Sequence, residues 1–121
     1  MFLRHLSECE EIVANDLTRL RELFHPEKDG LPLSFSLAHA ILPPGARSLR
    51  HHLEGSAEVY YILNGRGVMH VGEESRAVGP GDTLLIPAGA VQFLENPGPE
   101  EIHFLALVEP AWEAHRDHRA E

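Results

Sequence analysis

The feature that most constrains the fold of this chain is a series of short apolar runs separated by turn-forming residues, which begins at Leu31 and continues almost to the C-terminus. Turn signals recur about every eight to twelve residues, for example at Asn64-Gly65 and at Gly79-Pro80-Gly81-Asp82. Asn-Gly suits a tight hairpin because both residues tolerate positive φ, and Pro-Gly fits the central positions of a type II turn. This spacing predicts an all-β sandwich or barrel without helical crossovers.

The length of the chain, 121 residues, predicts one domain around a single hydrophobic core. No apolar run reaches the roughly 18 residues of a membrane span, and the N-terminus lacks the apolar core and cleavage site of a signal peptide. The single cysteine, Cys9, cannot form an internal disulfide, which agrees with a reducing compartment. We therefore expect a cytoplasmic protein.

The formal net charge of -9 argues against nucleic acid and membranes as partners. Binding to either polyanion requires clustered Lys and Arg side chains, and this chain has 10 of them against 19 acidic residues. A small molecule or another protein is the partner that this charge allows.

A histidine and a carboxylate lie on either side of a short turn between two predicted strands. His51 and Leu53 share a face, because residues two apart in a strand point the same way. Glu58 returns on the next strand and can point into the same space, and Tyr60 and Ile62 have its parity. A further predicted strand follows the Pro87–Gly89 turn and places Gln92 and Leu94 on one face, where Gln92 could reach the same cavity.

These stretches resemble the paired motifs of the cupin superfamily, G-x5-H-x-H-x3,4-E-x6-G and G-x5-P-x-G-x2-H-x3-N. Without a gap, the matching positions are Gly45, His51, Glu58 and Gly65 in the first motif and Gly81, Pro87, Gly89 and Asn96 in the second. The resemblance covers about residues 31 to 110 and implies one cupin domain over residues 1–121. Its fold would be the double-stranded β-helix, or jelly-roll, barrel.

Two departures from the motifs fall on metal-ligand positions. Cupin metal sites typically use three histidines and one glutamate, and here Leu53 and Gln92 occupy two of the histidine positions. The resemblance therefore implies a weakened site of His51, Glu58 and Gln92 for a divalent ion such as Mn, Fe, Ni, Zn or Co. An amide oxygen is a weaker donor than imidazole, so this site should hold an ion less tightly than the full set.

Two alternatives to this metal site stay open. A gapped alignment would place His52 and Glu54 at the ligand positions beside Glu58. Alternatively, His51 and Glu58 form hydrogen bonds inside a polar cavity and hold no ion. The pocket itself should be mainly apolar, with walls from one parity class of the last strand and from Leu53, Tyr60, Ile62 and Leu94. That parity class is either Phe104, Ala106 and Val108 or His103, Leu105 and Leu107.

The two ends of the chain lie outside the motifs. Leu17, Leu20 and Leu23 recur at helical spacing, but alternate residues from Thr18 to Phe24 fit a strand, and the resemblance favours an extra strand. An unpaired apolar strand at a sheet edge invites pairing, so we expect a homodimer. After Trp112 the chain is polar, and we expect a short frayed or helical tail.

Function is less constrained than fold, because cupins include dioxygenases, isomerases, epimerases, decarboxylases, storage proteins and sensing modules. One hypothesis is a pocket that binds or senses a small organic ligand, with a possible weakened metal site. The alternative is a metal-dependent enzyme of the dioxygenase, isomerase or epimerase type, acting on a small organic acid, sugar or phenolic compound. The sequence leaves open whether the protein is an enzyme.

Overall fold

Two antiparallel β-sheets make up the protein, as described by a computed structural model that covers residues 1–121. The strands are β1 (Glu11–Val13), β2 (Arg19–Phe24), β3 (Ser36–Leu42), β4 (His51–Leu53), β5 (Ala57–Asn64), β6 (Gly67–Val71), β7 (Glu74–Val78), β8 (Thr83–Ile86), β9 (Gln92–Glu95), β10 (Ile102–Glu109) and β11 (Asp117–Arg119). One α-helical turn, α1, spans Pro26–Asp29, and two 3-10 turns span Leu6–Glu8 and Ala114–Arg116. None of these helical segments has the length and apolar character needed to cross a bilayer.

The six-stranded sheet has the order β1-β2-β3-β10-β5-β8, and the five-stranded sheet has the order β11-β4-β9-β6-β7. Both sheets contribute to one hydrophobic core, because alternate residues along each strand point inward. On β10, for example, Phe104, Ala106 and Val108 are buried between less buried neighbours. The all-β jelly-roll prediction is confirmed.

The turn predicted at Gly79–Asp82 is present, whereas the hairpin predicted at Asn64-Gly65 was wrong. β5 and β6, the strands on either side of it, lie in different sheets, and Asn64 does not have a positive φ. At Gly79–Asp82 the amide of Asp82 donates to the carbonyl of Gly79 at 3.0 Å, and Gly81 has a φ of 90°. Gly65 has a φ of 82°, and a Cβ added there would collide with the backbone of Glu101. Glycine is therefore required at residue 65 for two reasons, conformation and space.

The segment from residue 11 to 24 forms two strands, so the strand interpretation is correct and the helical periodicity was misleading. β2 pairs with β3, and β1 folds back on β2 through a turn in which Leu17 has a positive φ of 75°. Pairing with the edge of an existing sheet satisfies the backbone of this segment, which overrides the weak local preference for helix.

The prediction of a frayed or helical tail was wrong. Residues Asp117–Arg119 form β11, which pairs with β4 through the register Asp117 to Leu53 and Arg119 to His51. The tail is ordered because β4 would otherwise be an open edge, and because Asp117 makes side-chain hydrogen bonds in the interior.

Candidate functional site

A cavity of about 280 Å³ opens between the sheets, beneath the hairpin of β1 and β2. Its walls are mainly apolar and include Leu20, Ala38, Ala40, Phe104, Ala106, Val108 and Trp112. Its polar residues come from four separate parts of the chain and include Asp16, His51, Glu58, Tyr60 and Asp117. An apolar cavity with a few converging polar groups is the usual form of a small-molecule site.

His51 is held in one orientation by a carboxylate from the C-terminal strand. Its Nδ1 donates to Asp117 Oδ1 at 2.9 Å. The same carboxylate accepts from Trp112 Nε1 at 2.9 Å and from Asn15 Nδ2 at 3.0 Å. Because a carboxylate only accepts hydrogen bonds, Nδ1 of His51 carries a proton, and the ring cannot rotate without breaking this network.

The other ring nitrogen of His51, Nε2, is buried and has no hydrogen-bond partner. Asp16 Oδ2 lies 3.4 Å away but is poorly aligned for a hydrogen bond. Burial by itself lowers the pKa of His51, but the carboxylates of Asp117 and Asp16 outweigh burial and raise the pKa to about 10. His51 is therefore an imidazolium between two aspartates at neutral pH.

Glu58, Gln92 and Tyr60 form a second buried chain of hydrogen bonds. The hydroxyl of Tyr60 donates to Gln92 Oε1 at 3.0 Å, and Gln92 Nε2 donates to Glu58 Oε1 at 2.9 Å. Burial raises the pKa of Glu58 to about 7, although the hydrogen bond from Gln92 and the charge of His51 act in the opposite direction. Glu58 therefore changes its charge near neutral pH.

The thermal midpoint should fall as the pH rises from about 6.5 toward the pKa of His51, about 10. The ordinary histidine pKa of 6.5 applies to the unfolded chain, and the folded pKa is about 10. The stabilisation from protonated His51 is thus complete below pH 6.5 and is lost as the pH approaches 10. Over this pH range the free energy of unfolding should fall by roughly a few kcal/mol, and the thermal midpoint should fall with it. Replacing His51→Gln should make both quantities less dependent on pH. Thermal melts of both proteins would test this, with exposed His115→Gln as control, and parallel curves for wild type and His51→Gln would contradict it.

The structure brings only part of the predicted site together. His51 and Glu58 line the cavity, as do Leu53 and Tyr60. Gln92 is fully buried and is not among the lining residues, so it lies behind Glu58 and Tyr60. Of the two parity classes of the last strand, Phe104, Ala106 and Val108 line the cavity.

Four other predicted residues lie away from the cavity. Ile62 and Leu94 pack in the hydrophobic core, because strand parity defines their face but not their depth along the barrel. His52 has the opposite parity to His51, and its ring contacts that of His118 in a tilted arrangement with centroids 5.1 Å apart. Glu54 is exposed. These positions do not fit the gapped alternative with His52 and Glu54 as ligands, since His52 lies on the opposite face of β4 from His51 and Glu54 lies in the turn after β4.

The side chains at the polar end of the cavity do not fit a resident divalent ion. No three His, Cys, Asp or Glu side chains are arranged so that they could share one. Gln92 presents its amide nitrogen, a donor without a free lone pair, to Glu58, and its oxygen already accepts from Tyr60. His51 Nε2 is left with Asp16 as its nearest carboxylate.

Sequence reasoning missed both aspartates that face His51. Asp16 had one local signal, because Asp-x-Thr is a common turn pattern, and Asp16 Oδ1 accepts from the Thr18 amide and hydroxyl at 3.1 and 2.7 Å. Asp117 had none, since it lies in a polar tail 66 residues from His51.

The sequence of this chain is similar to a known protein family and to two known proteins. A family model described as a cupin domain matches residues 38–108. An uncharacterized protein of Methanocaldococcus jannaschii is 38% identical over 106 residues, which cover 87% of this chain and 82% of that protein. An oxalate-binding protein of Thermotoga maritima is 37% identical over 67 residues, which cover 55% of each chain.

Solved structures agree on the fold. A predicted oxalate decarboxylase of Thermotoga maritima superposes with a TM-score of 0.78 at 26% identity, covering 89% of this chain and 98% of that one. A polyketide cyclase of Streptomyces resistomycificus superposes with a TM-score of 0.83 at 20% identity, covering 100% of this chain and 86% of that one. The matched residues 38–108 contain His51 and Glu58 but neither aspartate that faces His51.

Proposed function

Since the chain belongs to the cupin domain family, we propose that its cavity binds a small organic molecule and that side chains, rather than a tightly bound metal ion, provide the polar contacts. The observation that carries this proposal is the Nε2 atom of His51, which is buried and has no hydrogen-bond partner. His51 lines a cavity whose walls are mainly apolar. A buried polar atom without a partner is costly, and a bound ligand would supply the missing hydrogen bond.

The apolar walls would provide most of the binding free energy. Leu20, Phe104 and Val108 can bury the hydrocarbon part of a ligand, which is favourable in proportion to the area removed from water. A protein cavity of about 150 Å³ is known to hold benzene. A cavity of about 280 Å³ therefore has room for a substituted single ring or an aliphatic molecule of similar size.

A metal-dependent enzyme is the second candidate, and one observation favours it. Asp117 fixes the Nδ1 proton of His51 in the way that carboxylates orient metal-binding histidines, so that Nε2 faces the cavity. Dicarboxylates should also be tested as ligands, because the similar proteins include an oxalate-binding protein and a predicted oxalate decarboxylase. The donor arrangement described above argues against this candidate.

Ligand binding should survive removal of metal ions. Trp112 is the single tryptophan of the chain and lines the cavity, so its fluorescence reports occupancy directly. Protein purified without a nickel column should contain far less than one equivalent of metal and should respond equally to small organic compounds with and without EDTA. One equivalent of metal together with an EDTA-sensitive response would instead support the metal-dependent enzyme.

We also propose a homodimer formed through the edge of the six-stranded sheet. β1 is the outermost strand of that sheet, and its side chains Ile12 and Val13 are exposed. An exposed apolar edge strand tends to pair with another chain. Light scattering should therefore give a mass about twice the 13.5 kDa of one chain, and a mass near 13.5 kDa at micromolar concentration would refute the dimer.

A further inference from the structure

Two atoms at the polar end of the cavity, His51 Nε2 and Asp16 Oδ2, are available for hydrogen bonds with a ligand. His51 is 95% buried, since its exposed fraction is 5%, and its Nε2 has no partner. Asp16 uses Oδ1 for both hydrogen bonds from Thr18, so Oδ2 is left facing Nε2 at 3.4 Å. A ligand group that approaches both atoms from the cavity must satisfy a nitrogen and a carboxylate oxygen at once.

A hydroxyl group meets this demand better than a charged group. Asp16 Oδ2 can only accept a hydrogen bond, whereas a hydroxyl can donate to it and still accept from Nε2–H of His51. A ligand carboxylate has no proton to donate and would add a negative charge beside Asp16 and Glu58. A ligand ammonium can donate to Asp16 but cannot accept from the imidazolium.

The cavity also lacks a cation that could neutralise an anionic ligand. Apart from His51, which is already flanked by two aspartates, Lys28 is the one basic residue that lines it. Lys28 pairs with Glu22 at 3.0 Å, and its side chain is 60% exposed. A dicarboxylate such as oxalate would therefore be buried without a free counter-charge, which is strongly unfavourable.

We propose that the cavity selects an uncharged, hydroxyl-bearing molecule with a compact apolar body, and that Asp16 sets this preference. The inference rests on the proposed function, because it assigns a chemical class to the ligand of the same cavity. Asp16 lies outside the residues 38–108 that match the family model. The selectivity would thus be a property of the N-terminal hairpin of this chain rather than of the shared barrel.

Calorimetric titration with two probes of similar shape tests the proposal. At neutral pH para-ethylphenol is an uncharged hydroxyl compound, and para-ethylbenzoate is its anionic counterpart. Wild-type protein should bind the phenol at least about tenfold more tightly than the benzoate, since the phenol alone can donate to Asp16 and adds no negative charge beside it. Oxalate should give no heat of binding.

Two cavity variants and one control separate charge from shape. Asp16→Asn keeps an acceptor for Thr18 but removes the charge. The ratio of the Kd for the benzoate to the Kd for the phenol should therefore fall about tenfold, mainly because the benzoate binds more tightly. His51→Gln should weaken phenol binding about tenfold. Glu54→Gln, which removes an exposed carboxylate outside the cavity, should change neither affinity.

The affinities of wild-type protein for the phenol, the benzoate and oxalate decide the ligand class even if a variant does not fold. Tighter binding of benzoate or oxalate than of phenol by metal-free wild-type protein would overturn the ligand class and leave the proposed function intact. Failure of both aromatic probes to bind would also overturn the ligand class. Binding that requires an added divalent ion would overturn the proposed function itself.

Discussion

The double substitution Leu53→His with Gln92→His should raise the affinity for Zn²⁺ or Ni²⁺ by orders of magnitude. Leu53 is buried on the same face of β4 as His51, and Gln92 lies opposite His51 in the pairing of β4 with β9. Both new imidazoles would therefore lie near His51 and Glu58, which together make the three-histidine, one-glutamate set that binds first-row ions well. Binding should also weaken as the pH falls, because all three imidazoles must be neutral to coordinate and the proton on His51, whose pKa is about 10, already competes with the metal ion at neutral pH.

Isothermal titration of four proteins measures this effect. Wild type, the double variant, and the His51→Ala and His52→Ala changes made in the double variant form a complete set. His51→Ala should abolish the gain, whereas His52→Ala should leave it nearly intact, because His52 points away from the cavity and packs against His118. A large loss on His52→Ala, or no gain from the double substitution, would show that the alignment of the motifs with this chain is wrong.

The substitution Asp117→Ala should lower the free energy of unfolding by about 3 to 5 kcal/mol. Asp117 accepts hydrogen bonds from His51, Trp112 and Asn15, and its side chain is only 6% exposed. Its removal leaves the buried imidazolium of His51 with the misaligned Asp16 as its remaining carboxylate, and an uncompensated buried charge is among the most costly single defects.

Urea denaturation at neutral pH would measure this loss. Glu113→Ala is the matched control, because it removes a carboxylate of the same C-terminal region whose ion pairs, with His115 and Arg116, are partly exposed. The control should change stability by less than about 0.5 kcal/mol. A loss of similar size in both variants would mean that the buried network contributes little.

Most of the fold could be predicted because its signals are local. The turn at Gly79–Asp82 depends on residues adjacent in sequence and was predicted correctly. The hairpin at Asn64-Gly65 was wrong, because the strands on either side of it pair with strands of different sheets. Strand parity also predicted which face of β4 and of β5 points inward. Parity does not tell how far along the barrel a residue lies, which is why Ile62 and Leu94 were assigned to the pocket but pack in the core.

The rest of the site depends on contacts between distant parts of the chain. Asp16 and Asp117 are separated from His51 by 35 and 66 residues, and nothing in a strand pattern indicates that they meet it. The polar residues after Trp112 predicted an exposed tail. Local composition does not indicate that β4 has an unpaired edge, with which β11 pairs. Electrostatic sites assembled from chain ends are therefore hard to find from one sequence.

Hydrogen bonds between the two ends of the chain make the wall of the cavity that contains Asn15 and Asp117 a cooperative unit. Asn15 donates to Asp117, and Arg119 donates to the backbone and side-chain oxygens of Asn15 at 2.9 and 3.1 Å. β1 and β11 have three residues each, so neither has enough backbone hydrogen bonds to stay closed alone. In native-state hydrogen exchange, the amides of both short strands should open together at a lower free energy than those of β5 and β10, and a ligand bound beneath them should slow exchange at both ends of the chain in parallel.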